Sequence, residues 1–376
     1  MSREKRIVLI QVLLFIATFI TTTLAGAEWS YGKSVYGEFG WSDFLNGMHF
    51  SIPFLLILTV HEFGHYFTAM YHKVKSSLPY YIPIPPLPFS IGTMGAVIRL
   101  RSRVESTKQN FDIGIAGPLA GFVVAVIVLL YGFLTLPPVD HIFQIHPTYE
   151  QYGVNYADHV YQPEFVEKGT IDVIIGKNLL FLLLEQVADP ARLPNPHEIM
   201  HYPYLFAGFL ALIFTCLNLM PIGQLDGGHV LYGLVGYKLH RIVASVFFVA
   251  FIFYAGIGLE YILPSLPLSQ LQWSIPLYIL FLYTCFLGLG LPPKDTIMYT
   301  LLVFAGQFLV MVLYPNITGY PGWLLFGFIL GRFLGIQHPH SEIEEPLDEK
   351  RKILGWIAVI IFVLCFTPQP IQFFEH

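Results

Sequence analysis

Long apolar runs, each near the length of a membrane crossing, alternate along the chain with short polar connections. They fall near residues 7–25, 48–70, 111–136, 203–222, 242–263, 273–291, 296–314, 322–336 and 353–367. A helix needs about twenty apolar residues to cross a hydrocarbon core. The pattern therefore predicts an all-α polytopic membrane protein of about nine transmembrane helices. Two connections interrupt it. The first, about 78–108, reads LPYYIPIPPLPFSIGTMGAVIRLRSR. Its prolines forbid a helix and favour extended backbone, and Ser90 to Leu100 alternates small and β-branched residues as a strand does. A small membrane-associated β-region is predicted between helices two and three, its backbone satisfied by protein or facing a wet cavity. The second connection, 137–202, is polar or mixed. Within it IDVIIGKNLLFLLLEQV carries Asp172, Lys177 and Glu185, charges too costly at bilayer depth, and is predicted as an interfacial helix.

Composition agrees with the pattern. The chain is 376 residues, 55% hydrophobic and 12% charged, against about a quarter charged in soluble domains. Placing the N-terminus inside puts Arg3, Lys5, Arg6, Lys73, Lys75, Arg99, Arg101, Arg103, Lys108, Lys238, Arg241, Lys294, Arg332, Lys350, Arg351 and Lys352 on the cytoplasmic side. It leaves Lys33, Lys168, Lys177 and Arg192 outside. That bias follows the positive-inside rule. The first run is predicted to stay as a signal anchor, although Ala25-Gly26-Ala27 would suit a signal peptidase. The net charge of -5 is spread thinly and points to no nucleic-acid partner. Cys216, Cys285 and Cys365 each lie inside an apolar run, without the short spacing of a disulfide scaffold or thiolate zinc site.

Candidate chemistry enters with two matches to His-Glu-x-x-His, HEFGH at His61–His65 and HEIMH at His197–His201. Histidines at i and i+4 share a helix face and can reach one Zn²⁺. The glutamate between them is then placed to take a proton from water on the metal. HEFGH continues the uninterrupted run SIPFLLILTV, so it sits on a helix inside the membrane, where ionisable groups mark function. In HEIMH, Pro203 follows within two residues of His201 and would crowd the carbonyl of Ile199. That match reads as a loop and helix entry.

A catalytic zinc takes three protein ligands and keeps a water position open. The stretch LNLMPIGQLDGGHV supplies a third, Asp226, followed by Gly227-Gly228. The glycines permit close backbone approach, and Pro221 frees backbone groups just before the aspartate. His61 stands as far before Lys73 as Asp226 stands before Lys238. The two lie at similar depth, at most about 18 Å inward at helical rise. His201, at the other end of the fourth run, is about 30 Å away and shares no zinc with Asp226.

HEFGH on a membrane helix, followed by NLMPIGQLDGG on a later one, resembles the site-2 protease family of intramembrane zinc metalloproteases. Asn218, Pro221, Asp226 and Gly227 match that family's Asn-x-x-Pro-x-x-x-x-Asp-Gly without a gap. IGTMGAV and GIAGPLAG are similar to its β-region and third-helix glycine motifs, and the likeness covers about 48–236. The wording around Asp226 is most similar to the branch of bacteria, archaea and chloroplasts, without the PDZ domain some members carry. The resemblance implies one Zn²⁺ per chain on His61, His65 and Asp226, with Glu62 as general base. It implies a transmembrane protein as substrate, unwound locally in the lipid bilayer and cleaved in regulated intramembrane proteolysis. An edge strand around Gly92, Gly95 and Val97 is placed to clamp it by β-augmentation. Asn218 either donates to the developing oxyanion or closes backbone bonds around Pro221. His229 is expected to be structural. Gly117 and Gly121 allow close helix packing.

Three segments follow: 1–47, anchor and outer loop; 48–236, protease core; 237–376, additional membrane helices. The expected location is a prokaryotic plasma (inner) membrane, with N-terminus and active-site side cytoplasmic. The rival reading is a metal-ion transporter, which also buries His, Glu and Asp. It would continue polar groups toward both faces, whereas these runs are nearly all apolar outside the motifs. A catalytically dead scaffold would have no need of Glu62.

Overall fold

The computed structural model describes residues 3–162, 165, 169, 171–263 and 265–375. Lys168, placed outside by the charge pattern, lies beyond the described residues. In chain order come α1 (Arg3–Tyr31), α2 (Trp41–Tyr71), β1 (Tyr80–Pro83), β2 (Thr93–Val97), α3 (Thr107–Leu134), α4 (Asp140–Ile145), α5 (Ala157–Val160), β3 (Ile171–Ile175), α6 (Leu179–Leu184) and α7 (Pro203–Asn218). Then follow α8 (Asp226–Ala255), α9 (Leu268–Phe286), α10 (Pro293–Leu313), α11 (Gly322–Ile329), α12 (Glu349–Cys365) and β4 (Ile371–Glu375). Among the described residues, six helices are long and apolar enough to cross a membrane: α1, α2, α3, α8, α9 with its extension to Leu289, and α10. Pro203–Asn218 and Gly322–Leu334 are shorter apolar helices. The chain divides into two compact units, Met1–Arg103 with Ala116–Leu217 and Ile360–His376, and Val104–Ile115 with Asn218–Val359.

In the first unit α1 is turned inside out, as a helix in lipid is. Val8, Leu9, Ile10, Val12 and Leu13 face outward, while Gln11, Thr18, Thr22 and Thr23 are buried. Those polar groups meet protein because lipid offers them no partner. α1 and α2 approach through glycine: a Cβ on Gly26 would stand 2.6 Å from the carbonyl oxygen of Gly47. β1 and β2 pair antiparallel, Tyr80 opposite Val97 and Tyr81 opposite Ala96. The hairpin's loose ends are tied to α1. Gln11 donates to the carbonyl of Leu78 at 2.7 Å, Thr21 to that of Gly92 at 2.6 Å, and the Trp29 indole to that of Ser90 at 3.0 Å. The β-region expected between helices two and three is therefore present as a hairpin, its ends anchored on α1.

The stretch from Ile171 departs from expectation. It opens as strand β3, paired antiparallel with β4 so that Ile171 faces Glu375 and Ile175 faces Ile371. Only residues from Leu179 are helical, capped by Asn178, whose side chain accepts from the Phe181 amide. The β-branched run Ile-Asp-Val-Ile-Ile prefers strand once a partner strand is supplied, and that partner is remote in sequence. Lys177 and Glu185, the feared charges, pair at 2.7 Å.

In the second unit α8 begins at Asp226, well before the apolar run near 242, and bends where Gly236 adopts φ 75°. Gln307 on α10 is fully buried. Its amide donates to the carbonyls of Ile252 and Phe253 and accepts from the hydroxyl of Tyr278, a polar clamp across α8, α9 and α10. Arg351 of α12 grips Asp112 of α3 at 2.6 Å.

Candidate metal centre

The site is built on α2. Its Gly40 amide is capped by Asp43 at 2.8 Å, and the helix runs unbroken past Pro53 to Tyr71. His61 and His65 therefore stand one turn apart on one face, with Glu62 beside them on the next. All three are buried, at 6%, 7% and 7% exposure for His61, Glu62 and His65. The two imidazole Nε2 atoms lie 3.1 Å apart. A four-coordinate zinc with bonds of about 2.0–2.1 Å sets its ligand atoms about 3.3 Å apart. The donor pair fits the group that the motif implies.

α3 forms the floor. A Cβ on Gly64 would stand 2.7 Å from the carbonyl oxygen of Ala116, and one on Gly121 would stand 3.0 Å from the Cβ of His61. A Cβ on Gly117 would overlap the Nε2 edge of the His65 ring. The glycines thus do more than pack helices, because Gly117 makes the space that the Nε2 edge of the His65 ring occupies.

The hairpin reaches the same helix: the hydroxyl of Tyr81 on β1 and that of Thr59, just before the motif, lie 2.7 Å apart. Gly92, with φ 79°, lies against the backbone of Thr21 and Thr22. Its carbonyl accepts from Thr21 and from the Ile84 amide, so it is committed to the seam with α1. Gly95, with φ 98°, donates its amide to the hydroxyl of Thr93. Val97 is half exposed.

In the second unit Asp226 opens α8, where the helix N-terminus favours a carboxylate. The preceding loop folds back on that first turn. Gly223 has φ 55° and donates its amide to the Ile336 carbonyl at 2.9 Å. A Cβ on Gly228 would stand 2.7 Å from the Ile222 carbonyl oxygen, and one on Gly227 would overlap the Leu219 carbonyl. The glycine pair is what lets the loop pack so closely on the first turn of α8. His229 Nδ1 lies 2.7 Å from His338 Nε2. Asn218 ends α7.

The second His-Glu-x-x-His match forms no α-helix. Its only regular piece is a 3-10 turn at Ile199–His201. His197 turns away to Asp172, Nδ1 to Oδ1 at 2.8 Å, and stacks on Tyr161. Glu198 and His201 turn inward toward His146. Burial, reinforced by His146, pushes His201 down to about 3, so it stays neutral; burial pushes Glu198 up to about 7. His146 lies far away in sequence, in no motif, and no signal along the chain would have found it.

A family model described as "Peptidase family M50" matches residues 49–262. The chain belongs to peptidase family M50. With its spanning-length helices, this M50 chain is a mostly helical integral membrane protein. It is 31% identical over 182 residues to "Probable zinc metalloprotease EGY1, chloroplastic" of Oryza sativa subsp. japonica, covering 48% of this chain and 27% of that protein. The Arabidopsis thaliana protein of the same name is 31% identical over 180 residues, 48% of this chain and 28% of that one. "Probable zinc metalloprotease EGY2, chloroplastic" of Oryza sativa subsp. indica is 25% identical over 201 residues, 54% and 32%. The chain thus spans less than a third of the length of these relatives. No solved structure matches it. Membership of a peptidase family disfavours the transporter reading.

Proposed function

We propose that this protein is a zinc-dependent intramembrane endopeptidase that cleaves transmembrane segments of other membrane proteins. The observation that carries the reading is the buried pair His61 and His65, Nε2 atoms 3.1 Å apart on a spanning-length helix, in a peptidase-family chain. His61, His65 and Asp226 are the proposed zinc ligands. When bound, the ion would polarise the scissile carbonyl and acidify water. Glu62, held on the same turn of α2, takes up the proton and returns it to the leaving amine. Its burial keeps bulk water away from the exchange. Asn218 is proposed to donate to the developing oxyanion. A helical peptide bond is shielded by its own hydrogen bonds, so the substrate must be drawn out as a strand. Gly95 and Val97 of β2 are proposed to hold it there, with Gly92 fixing β2 on α1.

The relatives' names describe zinc metalloproteases of chloroplasts. The charge distribution supports a cytoplasmic N-terminus and active-site side; a prokaryotic inner membrane is the proposed location. Nine crossings remain the proposed topology, with α7, the helix through Leu334 and α12 as the short spans. So does the division into 1–47, 48–236 and 237–376.

The test is Glu62→Gln in cells co-expressing a single-span membrane substrate. Cleavage should fall by about 10²-fold or more, the scale of a lost general base, with zinc content unchanged. Cleavage at the wild-type rate would remove Glu62 from the mechanism.

A further inference from the structure

The second histidine cluster has the geometry of a metal site that the sequence motif itself does not describe. His146 Nε2 and His201 Nε2 lie 3.1 Å apart. Glu198 Oε2 lies 3.5 Å from His201 Nε2 and 3.8 Å from His146 Nε2. A point equidistant from the three atoms lies about 2.0 Å from each, inside the range of Zn–N and Zn–O bonds, about 2.0–2.2 Å. We infer that His146, Glu198 and His201 bind a second divalent transition-metal ion, of the zinc type, leaving a fourth position for water.

The hydrogen bonds around the cluster favour a cation over a simple polar network. Glu198 is 2% exposed. Its Oε1 accepts from the hydroxyl of Tyr161, while Oε2 is buried and has no hydrogen-bond partner among the described residues. Both imidazole nitrogens are too far from Oε2 for an N–H···O bond. An uncompensated carboxylate oxygen in that position is costly, and a cation at the shared point satisfies it together with both imidazoles. The outer partners are those a metal site needs. His201 Nδ1 donates to the Ser30 carbonyl at 3.3 Å, which turns the Nε2 lone pair inward. Tyr161 fixes the carboxylate. His146 stacks on Tyr149. Such partners orient ligands and raise their basicity.

The donor set, two imidazoles and a carboxylate, suits zinc over calcium or magnesium, which take oxygen ligands. His197, the first letter of the motif, is excluded because Asp172 holds it. The ion would join the turn after α4 to the entry to α7, which His201 Nδ1 ties in turn to the last residues of α1.

The test uses the full chain in detergent, stripped with chelator, re-equilibrated with Zn²⁺, passed through a desalting column and assayed for metal by mass spectrometry. Wild type should bind two ions per chain, against the one that the sequence predicts. Glu198→Gln, which keeps the side chain's shape, and His146→Ala should each bind one, while His197→Ala should keep two. In the His61→Ala, His65→Ala background one ion should remain, and adding His146→Ala should remove it. Co²⁺ in place of Zn²⁺ in that background should show the visible absorption of a tetrahedral site. One ion in wild type, lost with His61 and His65 and untouched by Glu198→Gln or His146→Ala, would overturn the proposal. Unchanged stoichiometry in Glu198→Gln would do the same, and neither result counts against the α2 site.

Discussion

Gly117 shows how a residue without chemistry can decide whether chemistry is possible. Any Cβ at that position would run into the Nε2 edge of the His65 ring. Gly117→Ala should therefore weaken zinc binding at least about tenfold, comparable to losing an orienting partner, with little change in helix content. Competition against a chromophoric chelator measures it, and wild-type affinity would mean the ring swings clear without cost. Asp226→Asn tests the proposed third ligand in the same assay. The amide is a poorer ligand than the carboxylate, so affinity should fall, and unchanged affinity would remove Asp226 from the metal. His61, Glu62 and His65 are readable from the chain because an α-helix converts their spacing directly into one face. The demand on Gly117 is not readable, because it depends on which turn of α3 lies over which turn of α2.

At the scale of elements, the β1–β2 hairpin is the clearest case of a unit that does not stand alone. A two-stranded hairpin is marginal in isolation, and this one is docked on α1 by Gln11, Thr21 and Trp29. Gly92 makes that docking possible, with a backbone that favours glycine and no room for a Cβ against Thr21. Gly92→Val should cost about 2 kcal/mol or more in strain and overlap. It should also expose the loop before β2 to protease at concentrations that leave wild type intact. Equal resistance would show that the hairpin docks without this contact. Prolines and alternation make the hairpin legible in the sequence. The helical reading of residues 171–175 fails because β3 needs β4, whose residues lie at the far end of the chain. Strand pairing is non-local, so a local pattern cannot report it.

For the whole molecule, the apolar runs announce a membrane protein, and each of the nine contains a helix. Among the described residues, six of these helices have spanning length. The proposed orientation predicts that, in intact cells, a membrane-impermeant thiol reagent labels a cysteine at Lys33 and spares one at Lys350. Both positions are exposed and the native cysteines are buried, which keeps the background low. The reverse pattern would invert the topology. Chelation with 1,10-phenanthroline should abolish substrate cleavage, and added Zn²⁺ should restore it. Cleavage that persists in metal-free protein would overturn the peptidase mechanism proposed here.

Hydropathy and helical spacing by themselves determined the membrane class, the helix that carries HEFGH and the demotion of HEIMH as a helical motif. They work because both are local: a helix relates residues one turn apart, and lipid selects apolar stretches one span at a time. Only the tertiary structure decided what lies against those faces. It placed glycine under His65, gave β3 its partner, and turned Glu198 and His201 toward His146 while His197 turned away. These outcomes depend on contacts between residues far apart in sequence, and packing in three dimensions sets them.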